Sequence, residues 1–324
     1  MRPDLDAHLR HFVNFPTPPG VASDILRLAG QPQSDMDCVA TAISRDAALS
    51  AKVLRIANSP LYAQRRRSSS LRQALVVLGL NATLTLALGF SLVKSLRGAK
   101  PHGVNHPHYW RRTLLAASAA RALGEATSQS ALEELFLCGL LQDLGMLALD
   151  RAVPDLYTDT GELQRSHREL AIHEQGRVGM DHAAVGAWLL EQWHLPSRLA
   201  DAVAASHRHD HRRALDSADT FNRCVALSGP VADLFLATPD PRLTREVAQQ
   251  AERVFGLEPE RFTEVLERVG AMVPETEALF ETDLLGDPEL IVKEAQAALR
   301  QRAGLVPDFG TRASDAVERH HDAA

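Results

Sequence analysis

A chain of 324 residues with 45% hydrophobic residues is long enough to bury a sizeable core, and its net charge of −6 excludes a protein that coats nucleic acid through many lysines and arginines. Charged residues at 23% fit a soluble globular class rather than a disordered one, and aromatics at only 5% leave Leu and Ala to favour helix packing over sheets. The expected fold class is all-α.

The three cysteines, Cys38, Cys138 and Cys224, have no C-x-x-C spacing and are expected to act as reduced, small core residues. The opening Met1–Asp6 carries no apolar signal core, and no apolar run approaches the ~20 residues of a membrane span. The expectation is a cytoplasmic protein that enters no membrane.

In chain order, residues 1–12 suit a short helix, which the prolines between Phe15 and Gly20 break. Val21–Ala29 is the next helix. Ser34 and Asp37 have capping-box form, and Met36, Val39, Ala40 and Ile43 then share one face. Asp46 is expected to cap a helix that buries Leu49, Val53, Ile56 and Ala57 and closes at Asn58–Pro60. Ser70 and Gln73 make a second capping box ahead of Leu71, Ala74, Leu75 and Leu78. Gly79 interrupts, and an apolar helix runs from Asn81 to about Leu96. Residues 1–97 thus form an N-terminal helical unit built on five helices, and the Gly-, Pro- and His-rich 98–108 reads as a linker.

Residues 109–213 form a second unit. Trp110–Gly124 is strongly helical, and 138–149 reads as one buried helix. Glu162–Gln175 is a more polar helix, and Asp181 caps another with Val185, Trp188, Leu189 and Trp193 inward. Pro196 opens a helix that runs to about His207, and His207, His209 and His211 read as a solvated hinge. Helices over 216–237, 242–255, 259–273 and 287–303 make a C-terminal extension spanning 214–303, and 304–324 is a tail.

The chemistry centres on Gln142-Asp143, the polar pair in an otherwise apolar run. A buried carboxylate is costly unless a metal, a cation or hydrogen bonds compensate it. No P-loop, G-x-G-x-x-G or zinc-ribbon spacing occurs.

Two blocks carry a family resemblance. One is Asp46–Tyr62 (DAALSAKVLRIANSPLY) with Ser69–Gly79 (SSLRQALVVLG). The other is Gly139–Gly145 (GLLQDLG), Asp181–Leu190 (DHAAVGAWLL) and Trp193–Pro196 (WHLP). Together they resemble the HDOD family, a degenerate branch of the HD superfamily, over roughly residues 12–210, and they imply an HD-like multi-helix bundle. Active HD proteins are metal-dependent phosphohydrolases whose His and Asp ligands hold one or two ions. Against that pattern this chain has Arg112 and Gln142 where two His would stand, keeps Asp143 and His182, and has Ser206 and His207 where a His pair would stand.

Arg has no lone pair to offer a metal, and Gln and Ser are weak ligands. These positions therefore read as the remains of a metal site, with no catalytic residue, no cofactor and an expected Arg112–Asp143 ion pair. The alternative is a reduced metal-dependent phosphohydrolase or phosphodiesterase, with Asp143, His182 and His207 holding one Fe, Mn or Zn ion. The resemblance implies a non-enzymatic signalling protein, of the kind tied to cyclic-dinucleotide, motility or stress networks. Its partners would be another signalling protein or an output domain, with a second copy of the chain as an alternative. Composition argues against nucleic acid. The loop holding Tyr62, Arg65, Arg66 and Arg67 is the candidate recognition surface.

Overall fold

The computed structural model describes residues 20–29, 31, 35–59, 62, 67–97, 102–153, 155–158, 160, 167–207, 216–282 and 288–302. The regular elements among them are all helices. The expected segment 1–12 and the tail lie outside the described residues.

The first unit is α1 Gly20–Ala29, α2 Met36–Ser44, α3 Ala47–Ala57, α4 Leu71–Leu78 and α5 Leu80–Leu96. Local chemistry sets these boundaries. Asp46 accepts the N–H groups of Ala48 and Leu49 and starts α3. Ser70 caps α4, while the Gln73 side chain turns back to the N–H of Ser69, one residue off the expected box. The cap of α2 is Asp35, which accepts from Cys38 N at 2.8 Å. Ser34, the expected cap, is outside the described residues. The buried face of α2 is Val39, Ala42 and Ile43, whereas Met36 and Cys38 are exposed, against the sequence expectation. Gly79 at φ +82° lets α4 and α5 bend by 113°, a backbone conformation that costs glycine little. Among the described residues no single helix is long and apolar enough to cross a membrane.

The linker is shorter than its composition suggests. Asn105 caps α6, His106–Ala126, which begins inside the segment. Upstream, His102, Gly103 and Val104 donate their N–H groups to the Asp150 carboxylate at 2.8, 2.7 and 3.0 Å.

Helix α6 is the centre of the second unit. Every side chain from Arg112 to Gly124 is buried, as expected for a helix surrounded on all sides. The run over 138–149 is two helices rather than one, α7 Leu132–Leu141 and α8 Leu144–Ala152, with Gln142 and Asp143 in the turn between them. The unit continues with α9 His167–Val178, α10 His182–Gln192 and α11 Ser197–Ala204.

Beyond it stand α12 Ser217–Leu236, α13 Pro241–Phe255, α14 Pro259–Phe280 and α15 Pro288–Arg302. Helix α14 runs past its expected end and carries Pro274 inside it. Both α12 and α14 pack along α6, so the C-terminal region is built into the second unit.

Candidate functional site

Three segments meet on Arg112. It lies on α6, is buried, and divides its guanidinium between two carboxylates. Nη1 donates to Asp143 Oδ2 at 2.5 Å, the pair expected from the sequence. Nε and Nη2 donate to Asp233 Oδ1 and Oδ2 at 2.7 and 3.3 Å. Asp233 comes from α12 and was not anticipated. A β-carbon on Gly229, also on α12, would lie 2.6 Å from Arg112 Nη2, so glycine there admits the guanidinium. Burial disfavours the charge on Asp143, but Arg112 together with His167 and His182 outweighs that and holds its carboxyl well below the usual carboxylate range.

The other oxygen of Asp143 faces three imidazoles. Oδ1 lies 3.3 Å from His167 Nδ1, 3.6 Å from His182 Nε2 and 3.4 Å from His207 Nε2. Asp143 Oδ1 and His167 Nδ1 have no hydrogen bond of acceptable geometry. His182 Nε2 and His207 Nε2 are 2.6 Å apart. Close backbone packing gathers these groups. A β-carbon on Gly145 would sit 1.9 Å from the carbonyl oxygen of His182, so the α8 turn can approach the start of α10 only with glycine there. Asp181 caps α10 and fixes His182 as its first residue.

Glu174 on α9 orders the far side. Its Oε2 accepts from His182 N–H and lies 2.7 Å from His182 Nδ1, and its Oε1 accepts from the Tyr157 hydroxyl at 2.7 Å. This directs His182 Nε2 at Asp143. Burial works against an imidazolium at His182, yet Glu174 and Asp143 push its pKa up to about 10. Burial, with Arg112, takes His167 down to about 4. Burial and His182 also lower His207. Neighbouring imidazoles are thus held in different protonation states by their surroundings.

The remaining sequence candidates fall elsewhere. Gln142 is buried but turns to the Ser228 hydroxyl and the Gly139 carbonyl, each at 3.3 Å. Ser206 is buried with its hydroxyl unpartnered. His207 belongs to the cluster with a side chain only 10% exposed, which corrects its reading as a solvated hinge; His209 and His211 lie outside the described residues. Tyr62 turns inward. Its hydroxyl donates to Glu133 at 2.6 Å, and the Arg121 guanidinium stands 5.8 Å from its ring. Arg67 is exposed, and Arg65 and Arg66 lie outside the described residues. Arg72 pairs with Asp37, and Arg97 donates to the Phe280 carbonyl and the Thr282 hydroxyl.

His167, Glu174 and Asp233 are the site residues that sequence reasoning missed. Two of them left a signal. The buried stripe of α9 is His167, Leu170 and Glu174, so a helix judged polar turns a histidine and a glutamate inward at positions that pattern alone would give to apolar residues. Asp233 left none, because its partner is 121 residues away.

An all-α bundle that gathers histidines and an aspartate from helix ends around a central helix defines a protein of the HD type. The HDOD domain matches residues 15–209, and the chain belongs to the HDOD family. A Treponema pallidum protein, itself uncharacterized, is 24% identical over 201 residues; the match covers 61% of this chain and 38% of that relative. Two solved structures share the fold. A phosphohydrolase candidate from Shewanella amazonensis has a TM-score of 0.65 at 22% identity, with 85% of this chain and 97% of that one covered. An HDOD domain protein of unknown function from Geobacter sulfurreducens has a TM-score of 0.63 at 21% identity, with 85% and 96% covered. The family match ends before α12, so Asp233 and Gly229 lie outside it.

HD relatives imply a metal, and the residues here fit one ion. Asp143, His167, His182 and His207 each offer a ligand atom, all within 4.8 Å of one another. The loss of metal ligands expected from the sequence is therefore incomplete. The Arg112 side does not fit a second ion, since a guanidinium has no lone pair and stays cationic.

Proposed function

We propose that this chain is a non-hydrolysing regulatory member of the HD superfamily, acting by contact with a partner protein or by sensing a ligand. One observation carries the reading. Arg112 lies across Asp143 and Asp233, where a cation between two carboxylates belongs. A two-ion hydrolase clamps the attacking and leaving oxygens between metals about 3.5–4 Å apart. Here one oxygen of Asp143 is committed to a buried, permanently charged side chain, which repels an ion in that position.

Burial supports the same reading. The side chains of Asp143, His167 and His182 are 1%, 6% and 0% exposed, so a phosphodiester has little access to them. The link to cyclic-dinucleotide, motility or stress networks rests on family resemblance alone.

A second reading, a one-ion phosphohydrolase, draws on the convergence of three histidines on Asp143 Oδ1. In that reading Asp143, His167, His182 and His207 would hold the ion, and a bound ion would supply Lewis-acid charge for activating water. Glu174 would orient His182 through Nδ1, as outer carboxylates do for metal-binding imidazoles.

Assaying bis(p-nitrophenyl) phosphate and cyclic dinucleotides with manganese, ferrous iron or zinc separates the two readings. No turnover above that of an Asp143→Asn control is expected. Metal-dependent turnover that disappears in Asp143→Asn would overturn the non-hydrolysing reading.

A further inference from the structure

Metal sites divide by how many positions the protein fills. A structural tetrahedral site takes four side-chain ligands, whereas a catalytic one keeps a position open for water or substrate. With ligand bonds near 2.0–2.1 Å, neighbouring ligand atoms of a tetrahedron stand roughly 3.3–3.4 Å apart. The three contacts of Asp143 Oδ1, at 3.3, 3.6 and 3.4 Å, have that spacing. The His182–His207 pair, at 2.6 Å, must open by roughly 0.7 Å to match, and no pair of ligand atoms is more than 4.8 Å apart.

We propose that Asp143, His167, His182 and His207 form a closed four-ligand site for one zinc-like divalent ion, with His167 completing the coordination and Arg112 limiting the site to that single ion. Three imidazoles select a transition ion such as zinc or ferrous iron over magnesium or calcium, which prefer oxygen ligands. Two buried atoms of this cluster, Asp143 Oδ1 and His167 Nδ1, have no hydrogen bond of acceptable geometry and lie 3.3 Å apart. Unpaired buried polar atoms are rare in folded proteins, and a ligand is a usual reason for them.

Charge agrees. Ligating imidazoles are neutral, so ion binding must displace the proton of His182, and Asp143, Glu174 and Asp233 against Arg112 then leave two negative charges, which one divalent ion balances. The outer shell is already built, with Glu174 on His182 Nδ1 and Tyr157 on Glu174. The inference deepens the non-hydrolysing reading, because four protein ligands leave no position for a water nucleophile.

The test uses full-length protein without a polyhistidine tag, with zinc content measured after dialysis and cobalt(II) titration followed in the visible spectrum. One equivalent of zinc and the intense visible bands of tetrahedral cobalt are expected. His167→Gln should keep the helical circular dichroism but weaken cobalt binding by more than the roughly 10–100-fold that loss of an outer-shell partner causes. Tyr157→Phe, as an outer-shell change, should weaken it less. Wild-type protein that binds no tight ion, a weak octahedral cobalt spectrum, two equivalents of ion, or unchanged affinity in His167→Gln would each overturn the proposal. Metal-dependent hydrolytic turnover would show an open coordination position and overturn the closed site together with the non-hydrolysing reading, whereas a missing tetrahedral cobalt spectrum without turnover would overturn the closed site alone.

Discussion

The two helical units are held together in different ways. In α1–α5 the buried helix faces are almost wholly apolar, with Ile25, Val39, Ile43, Val53 and Leu75 nearly fully enclosed, and polar side chains work at helix ends. In the second unit the centre itself is polar: Arg112, Gln142, Asp143, His167, Glu174 and His182 are all buried. An apolar core tolerates loss in proportion to the atoms removed. A buried ionic network does not, since deleting one member leaves another charge desolvated and unpaired. Such a network is therefore poor support for stability alone.

The largest effect that would test this contrast is at Arg112. Arg112→Leu should destabilise the protein by about 3–5 kcal/mol in urea unfolding, because Asp143 loses its main compensating charge. Arg112→Leu with Asp143→Leu should cost clearly less than the sum of the two single changes, since the orphaned charge goes with its partner. Additive costs would show that the pair is not coupled, and the difference between the units would fall with it.

In the first unit, Ile43→Val removes one methylene from a fully buried side chain and should cost about 0.5–1.5 kcal/mol. Pairing it with a change at Arg112 should give additive losses, because the two sites share no partner.

The smallest effect is at Asp46, whose side chain caps α3 and bonds Lys94 at 2.8 Å. The hydrogen bond to Lys94, with those to the backbone, lowers its pKa. A depressed folded pKa contributes stability that is present above the usual carboxylate value and is lost as pH falls through the folded one. Asp46→Asn keeps a capping oxygen and removes the charge, so it should cost about 0.2–1 kcal/mol at neutral pH. That difference should vanish in acid, and denaturation curves at several pH values would check it.

Much of this architecture is legible in the chain. Composition and 3.6-residue periodicity specify an all-α protein because helix formation is local, and Asp46, Ser70 and Asp181 mark helix starts because a cap acts within three residues. The Arg112–Asp143 contact could be anticipated once two segments were aligned with one family pattern. The tertiary structure decided the rest. It split 138–149 at Gln142-Asp143, in the turn from which Asp143 reaches both Arg112 and His182. It brought His167 and Glu174 from a polar-looking helix and Asp233 from beyond the family match, through contacts that no local spacing encodes. Periodicity reports which face of a helix is buried; it does not report what that face meets, and a site assembled from five separated stretches is defined by what meets there.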